Sequence, residues 1–231
     1  IMIGCASAIA LTTAERNVYI GGASASSSTV GNDNVAIGFG AGTSIAGNYN
    51  VMFGRYAGCL ATGAHNVIMG PNAAKCQTSG ACNIFIGNET GSNASSSGGT
   101  GNNNIGMGCK SLTCLTSGAD NVSLGQNAGI HITDGEENII IGKSAGYCIT
   151  GADGNILLGK DAGKNLNAND NILLGRLAGD SIQSGSFNVV IGFDVDVPSA
   201  FGSLQLAIGC ASSTWLTGDS SFHIKPGAGI R

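Results

Sequence analysis

Five acidic side chains stand one or two residues ahead of an asparagine: Asp33, Asp120, Glu137, Asp153 and Asp170. Two carboxylates flanking a glycosidic bond could cleave it, one as acid and the other as base or nucleophile. A column of carboxylates could instead hold calcium through its oxygens. Neither chemistry is compelled. Asp is a turn former, the series is interrupted by Tyr49, His65, Cys82 and Phe187, and the calcium-binding nonapeptide repeat is not matched. The three histidines, His65, His131 and His223, are isolated, and no G-x-S-x-G elbow supplies a nucleophile. No G-x-G-x-x-G follows a strand and opens a helix. Ranks of threonine would suit an ice-binding face, but the series Thr62, Thr116, Thr133, Thr150 is broken. The expectation is no catalytic residue, no cofactor, no metal and no enzyme.

The eight cysteines, at 5, 59, 76, 82, 109, 114, 148 and 210, contain no C-x-x-C pair and fit no zinc spacing. They read as small buried or half-buried thiols. The close pairs Cys76 with Cys82 and Cys109 with Cys114 leave bridging open. Sequons at Asn88, Asn93 and Asn121 matter only in a eukaryotic secretory path.

What must position these residues is a repeat. An asparagine opens each copy at Asn17, Asn34, Asn50, Asn66, Asn83, Asn104, Asn121, Asn138, Asn155, Asn171 and Asn188, in steps of 16 or 17 with one of 21. Gln205 opens a twelfth copy and Ser221 a worn one, with Phe222 and Ile224. Counting the asparagine as position zero, positions one and three are Val, Ile, Leu or Met in nearly every copy, and position four is Gly from Gly21 to Gly209. Alternation over so few residues predicts a strand rather than a helix. Ala recurs at position seven and Ile or Leu at position eleven, as in Ile45, Leu115, Ile132, Ile149, Leu166, Ile182 and Leu216. The unit reads as two short strands and two turns, with position eleven facing inward from the second strand. Stacked copies form parallel ladders. The predicted fold is all-β: a parallel β-solenoid of about 13 coils, with residues 1–220 as the shaft, a longer loop at 92–103, and 221–231 as a worn last coil leading into a further segment. Both ends read as fragments of a longer protein. The asparagines from Asn34 to Asn188 are expected to form a side-chain ladder along the rod.

Position two decides the next step. It reads Tyr19, Met52, Ile68, Phe85, Ile140, Leu157, Leu173 and Val190 in most copies, with small residues at Ala36, Gly106, Ser123 and Ala207. A strand apolar on both faces is buried on both. With positions one and three assigned to the core, position two is expected outside, as a stripe at a homotrimer interface.

Composition narrows the partners. Charged residues are 10% of the chain, the net charge is −4 and no basic run exists, so nucleic acid and anionic lipid have no footprint. No apolar run approaches the roughly 20 residues needed to span a bilayer.

Asn34-Val35-Ala36-Ile37-Gly38 and its relatives resemble the repeats of trimeric autotransporter adhesin heads, which are left-handed parallel β-rolls wound as trimers. The longer unit, G-x-x-N-V-x-I-G-x-x-A-G, is similar to repeat arrays in tail-fibre and related virion proteins of marine tailed phages. The ending Phe222 to Ile230 resembles the segment that follows such arrays. The resemblance implies a non-enzymatic, homotrimeric virion fibre shaft that carries a receptor-binding tip, located on the virion surface or outside the cell. Its partners would be other virion or fibre proteins and a host surface glycan or protein. The alternative it implies is a cell-surface adhesin or an extracellular filament subunit.

Overall fold

The structure, a computed structural model, describes residues 1–92, 98–211, 213–221 and 223–226. Residues 93–97 of the expected loop, Asn93 among them, and Phe222 and 227–231 of the family-like ending lie outside the described residues. The described chain has no helix. Its strands are β1 (Met2–Ile3), β2 (Val18–Ile20), β3 (Val35–Ile37), β4 (Val51–Phe53), β5 (Val67–Met69), β6 (Ile84–Ile86), β7 (Ile105–Met107) and β8 (Val122–Leu124). There follow β9 (Ile139–Ile141), β10 (Ile156–Leu158), β11 (Ile172–Leu174), β12 (Val189–Phe193), β13 (Leu206–Cys210), β14 (Ser213–Gly218) and β15 (Ile224–Pro226). All fifteen form one sheet in sequence order. From β1 to β13 every pairing is parallel and like positions face each other, as Ile140 faces Leu157 and Leu157 faces Leu173. The chain is a β-solenoid of about 12 turns, which at about 4.8 Å per turn makes the rod about 58 Å long.

Among the described residues, each coil of the parallel stack has one strand rather than two. Positions five to sixteen are stacked turns, closed by bonds such as Ala145 N–H to Gly142 O at 3.3 Å and Ile149 N–H to Gly146 O at 3.2 Å. These turns still bond from coil to coil, as Gly146 N–H does to Ala162 O at 2.9 Å. The inward residue at position eleven is buried as expected, with Ile149 and Leu166 at 0% exposure, but a turn presents it. Left-handed backbone recurs at position six (Ser144, φ 55°), at position eight (Gly146, φ 56°) and just before the asparagine (Glu137, φ 57°). Several such residues in one coil prevent an extended second strand. Position four needs glycine for a different reason. Gly142 has φ 137°, and a Cβ there would run into the carbonyl oxygen of Gly159 in the next coil.

The strand faces are the reverse of the sequence expectation. Position two lies inside the protomer: Tyr19, Met52, Leu157, Leu173, Ile140 and Val190 are fully buried, and Ile68 and Phe85 are 1% exposed. These side chains are core and cannot be a contact surface. The asparagine sets the phase. Its amide must lie inside to reach the carbonyls that close the coil, so positions zero and two point inward while one and three point outward. Small residues at position two make room for large neighbours within the chain rather than for another chain. A Cβ on Gly106 would come 3.0 Å from the Phe85 ring, so glycine there accommodates that ring.

The parallel solenoid ends at β13. Leu216, expected at position eleven of another coil, sits in β14 antiparallel to β13, opposite Ile208. Ile224, expected in a worn coil, belongs to β15, antiparallel to β14.

Candidate interaction surface

The outward strand face is built from positions one and three, every one apolar. In β9 to β11 these are Ile139, Ile141, Ile156, Leu158, Ile172 and Leu174. Ile139 is 39% exposed and Leu158 38%. Methyl-bearing side chains repeat every 4.8 Å or so along the rod and about 7 Å across it. Over 12 turns the two columns cover about 400 Å², within the range of the largest apolar patches on monomeric proteins. The doubly apolar strand inferred from the sequence is present with its two faces exchanged.

Position five edges this face at one end of the strand, and the residue before the asparagine edges it at the other. In β12, Val189, Ile191 and Phe193 alternate with Val190 and Gly192, placing position five on the outward side. Arg176 and Phe193, at position five of successive coils, stack with the guanidinium carbon 4.2 Å from the ring centroid. On the opposite edge, Tyr49 and His65 stack in parallel at 5.0 Å. Arg16 holds Asp33 through two bonds of 2.7 and 2.8 Å, which lowers the Asp33 carboxyl pKa.

The asparagine column runs beneath this surface. Asn34, Asn50, Asn83, Asn104, Asn121, Asn138, Asn155, Asn171 and Asn188 are buried, as is Asn66 at 2% exposure. Each side-chain oxygen accepts the backbone N–H of the next opener: Asn138 N–H reaches Asn121 Oδ1 at 3.1 Å, and Asn155 N–H reaches Asn138 Oδ1 at 3.0 Å. The amide nitrogen closes its own coil, with Asn138 Nδ2 donating to Ala152 O at 2.8 Å. A second, exposed ladder two residues before the opener was not anticipated. Glu136 N–H donates to Asp153 Oδ1 at 2.8 Å, and Asp153 N–H to Asn169 Oδ1 at 3.1 Å. Its signal was Asx residues recurring at that phase.

The structure assigns the remaining chemical candidates plain roles. Asp153 is a ladder acceptor, and Asp120 accepts from Asn103 Nδ2 at 3.0 Å. Among the described residues, no three His, Cys, Asp or Glu side chains are arranged to hold a metal ion. Threonine hydroxyls bond along the stack, as Thr116 Oγ1 does to Thr133 O at 2.9 Å. All eight cysteines are free, and Cys5, Cys82, Cys109, Cys148 and Cys210 are exposed rather than buried. Cys114 Sγ lies 3.9 Å from His131 Nδ1, a neighbour pair that the shared phase of consecutive coils would have revealed. Burial raises the Cys114 thiol pKa, the opposite of what a nucleophile needs. Of the sequons, Asn121 is fully buried in the ladder.

Asp180 is a carboxylate whose pKa is raised. Burial raises its pKa first, then the charges of Asp196, Asp194 and Asp161, with Lys164 opposing. A raised folded-state pKa means that the native chain binds a proton more tightly than the unfolded one, so Asp180 costs stability as pH rises through that pKa. Asp180→Asn should therefore raise the melting temperature near neutral pH. Melting curves of both proteins should converge as pH falls and Asp180 becomes protonated.

Comparison with protein-family models, with curated proteins and with solved structures finds no match to this chain.

Proposed function

We propose that the chain is a non-enzymatic structural fibre: part of a homotrimeric β-solenoid shaft, best read as a virion tail fibre that carries a receptor-binding tip. One observation supports it above the others. The rod is closed and packed within a single chain, yet it turns two unbroken apolar columns outward. A lone rod with such a face invites association, and identical levels let copies meet residue for residue around a common axis. Positions one and three now supply the contact that position two was expected to make. A cell-surface adhesin or extracellular filament would use the same face, and the genes on either side of this one would separate the readings.

The test is mass in solution. The wild type should run at three times 22.9 kDa. Ile141→Asp with Ile172→Asp should reduce it to a single chain with an unchanged β-type circular dichroism spectrum, because both positions point away from the core. A wild type that is monomeric at all concentrations would sink the trimer.

A further inference from the structure

The outward face has different charges along its two edges. In the coils that open at Asn138, Asn155 and Asn171, position five is Lys143, Lys160 and Arg176. At the other end of the same three strands, the residues directly before the asparagines are Glu137, Gly154 and Asp170, so this edge is acidic at two levels; Asp153 lies one residue earlier, in the second ladder. Lys143, Lys160, Arg176, Glu137 and Asp170 are exposed. Within the basic column the charges are about 4.8 Å apart, close enough to repel, while Glu137 and Asp170 stand two coils, about 9.6 Å, apart. Across the strand the two edges are separated by six residues, roughly 20 Å, so neither side chain can reach the other within one chain. Among the described residues, neither Glu137 nor Asp170 has a cation within salt-bridge distance; Lys160 touches Asp161 at 3.7 Å, while Lys143 and Arg176 have no carboxylate partner.

We propose that a second copy of this chain docks on this face parallel and in register, with the acidic edge of one copy against the basic edge of the next. The inference rests on the assembly reading above and adds its polarity and register. Copies related by rotation about an axis along the rod place opposite edges side by side at the same level. Glu137 then meets Lys143 and Asp170 meets Arg176, with Lys160 on the level between them. One coil further on, the exposed Phe187 meets the exposed Phe193. An antiparallel pair, related by an axis across the rod, sets acid against acid and base against base. A parallel pair slipped by one coil leaves Glu137 or Asp170 unmatched. The apolar columns are nearly uniform and favour many arrangements equally, so the edges select among them.

Charge reversal tests this. Turning the basic column into Glu (Lys143→Glu, Lys160→Glu, Arg176→Glu) should raise the concentration needed for assembly about tenfold or more. Turning Glu137 and Asp170 into Lys should do the same. Both reversals in one chain restore opposite edges, and assembly should return to near the wild-type concentration. The single swaps Glu137→Lys and Lys143→Glu, alone and combined, repeat the logic at one level if a triple variant fails to fold. If each column can be reversed without effect, or if the combined variant stays impaired, polarity is not set by these edges. A monomeric wild type removes the assembly reading itself, which is a separate failure.

Discussion

Leu157→Asp should abolish the folded middle of the rod, not merely its assembly. The leucine side chain is fully buried between Ile140 below and Leu173 above. Truncation alone, Leu157→Ala, should cost about 2–5 kcal/mol through lost burial and the cavity left behind. A carboxylate at the same point adds an unpaired buried charge, bringing the total to about 5 kcal/mol or more. That is comparable with the whole stability of many domains. Chemical unfolding followed by circular dichroism would measure both variants. The contrast with Ile141→Asp is the informative part, because residues 141 and 157 are both aliphatic but lie on opposite faces of the sheet. If Leu157→Asp folds normally and only fails to assemble, position two faces outward after all and the coil is wrongly phased.

The second large effect is expected from a change of one atom and one charge. Asn138 Nδ2 donates to Asn121 Oδ1 at 3.0 Å, Glu136 O at 3.0 Å and Ala152 O at 2.8 Å, while its Oδ1 accepts from Asn155 N–H and Asn155 Nδ2, each at 3.0 Å. Asn138→Asp keeps the accepting oxygen and turns the donor into a second acceptor, facing three other acceptors with no solvent nearby. The expected loss is about 3–5 kcal/mol near neutral pH. It should shrink as pH falls and the buried carboxyl takes up a proton, since the folded state disfavours the charge. Thermal unfolding across pH reads this directly, and hydrogen exchange at the amides of Ile139 and Asn155 shows whether the damage stays within adjoining coils. A variant that melts with the wild type at neutral pH would mean that the ladder contributes nothing to stability.

The parallel all-β stack was legible because a period near 17 residues leaves few other architectures. What could not be read was which strand face is inside. Positions one and two are both apolar, so hydropathy gives no phase; in the coils from Asn138 to Asn171 the former are Ile139, Ile156 and Ile172, and the latter Ile140, Leu157 and Leu173. Two weaker signals pointed the right way. Position two ranges from Gly106 to Phe85, the mark of side chains fitting one another in a closed space, while the outward positions stay uniform. The opening asparagine, whose amide needs backbone partners, shares its parity with position two. The missing second strand has a local cause: Ser144 and Glu137 adopt left-handed backbone without being glycine, and composition gives little warning of that. The rim charges were visible all along, but they acquire meaning only once the face between them is known to point outward.

The bonds that join one coil to the next run along the rod, from Ile139 N–H to Asn155 O and from Gly146 N–H to Ala162 O. Tension along the axis therefore loads the coil junctions in series and the bonds of each junction together. A single rod pulled from its ends would yield at its weakest junction rather than stretch evenly. If copies bundle as proposed, that failure mode changes, because a break must open the same level in every copy or shear the apolar seam between them. The architecture makes a poor spring and a good strut, stiff in compression and bending, whose strength under load is set by its least well packed turn.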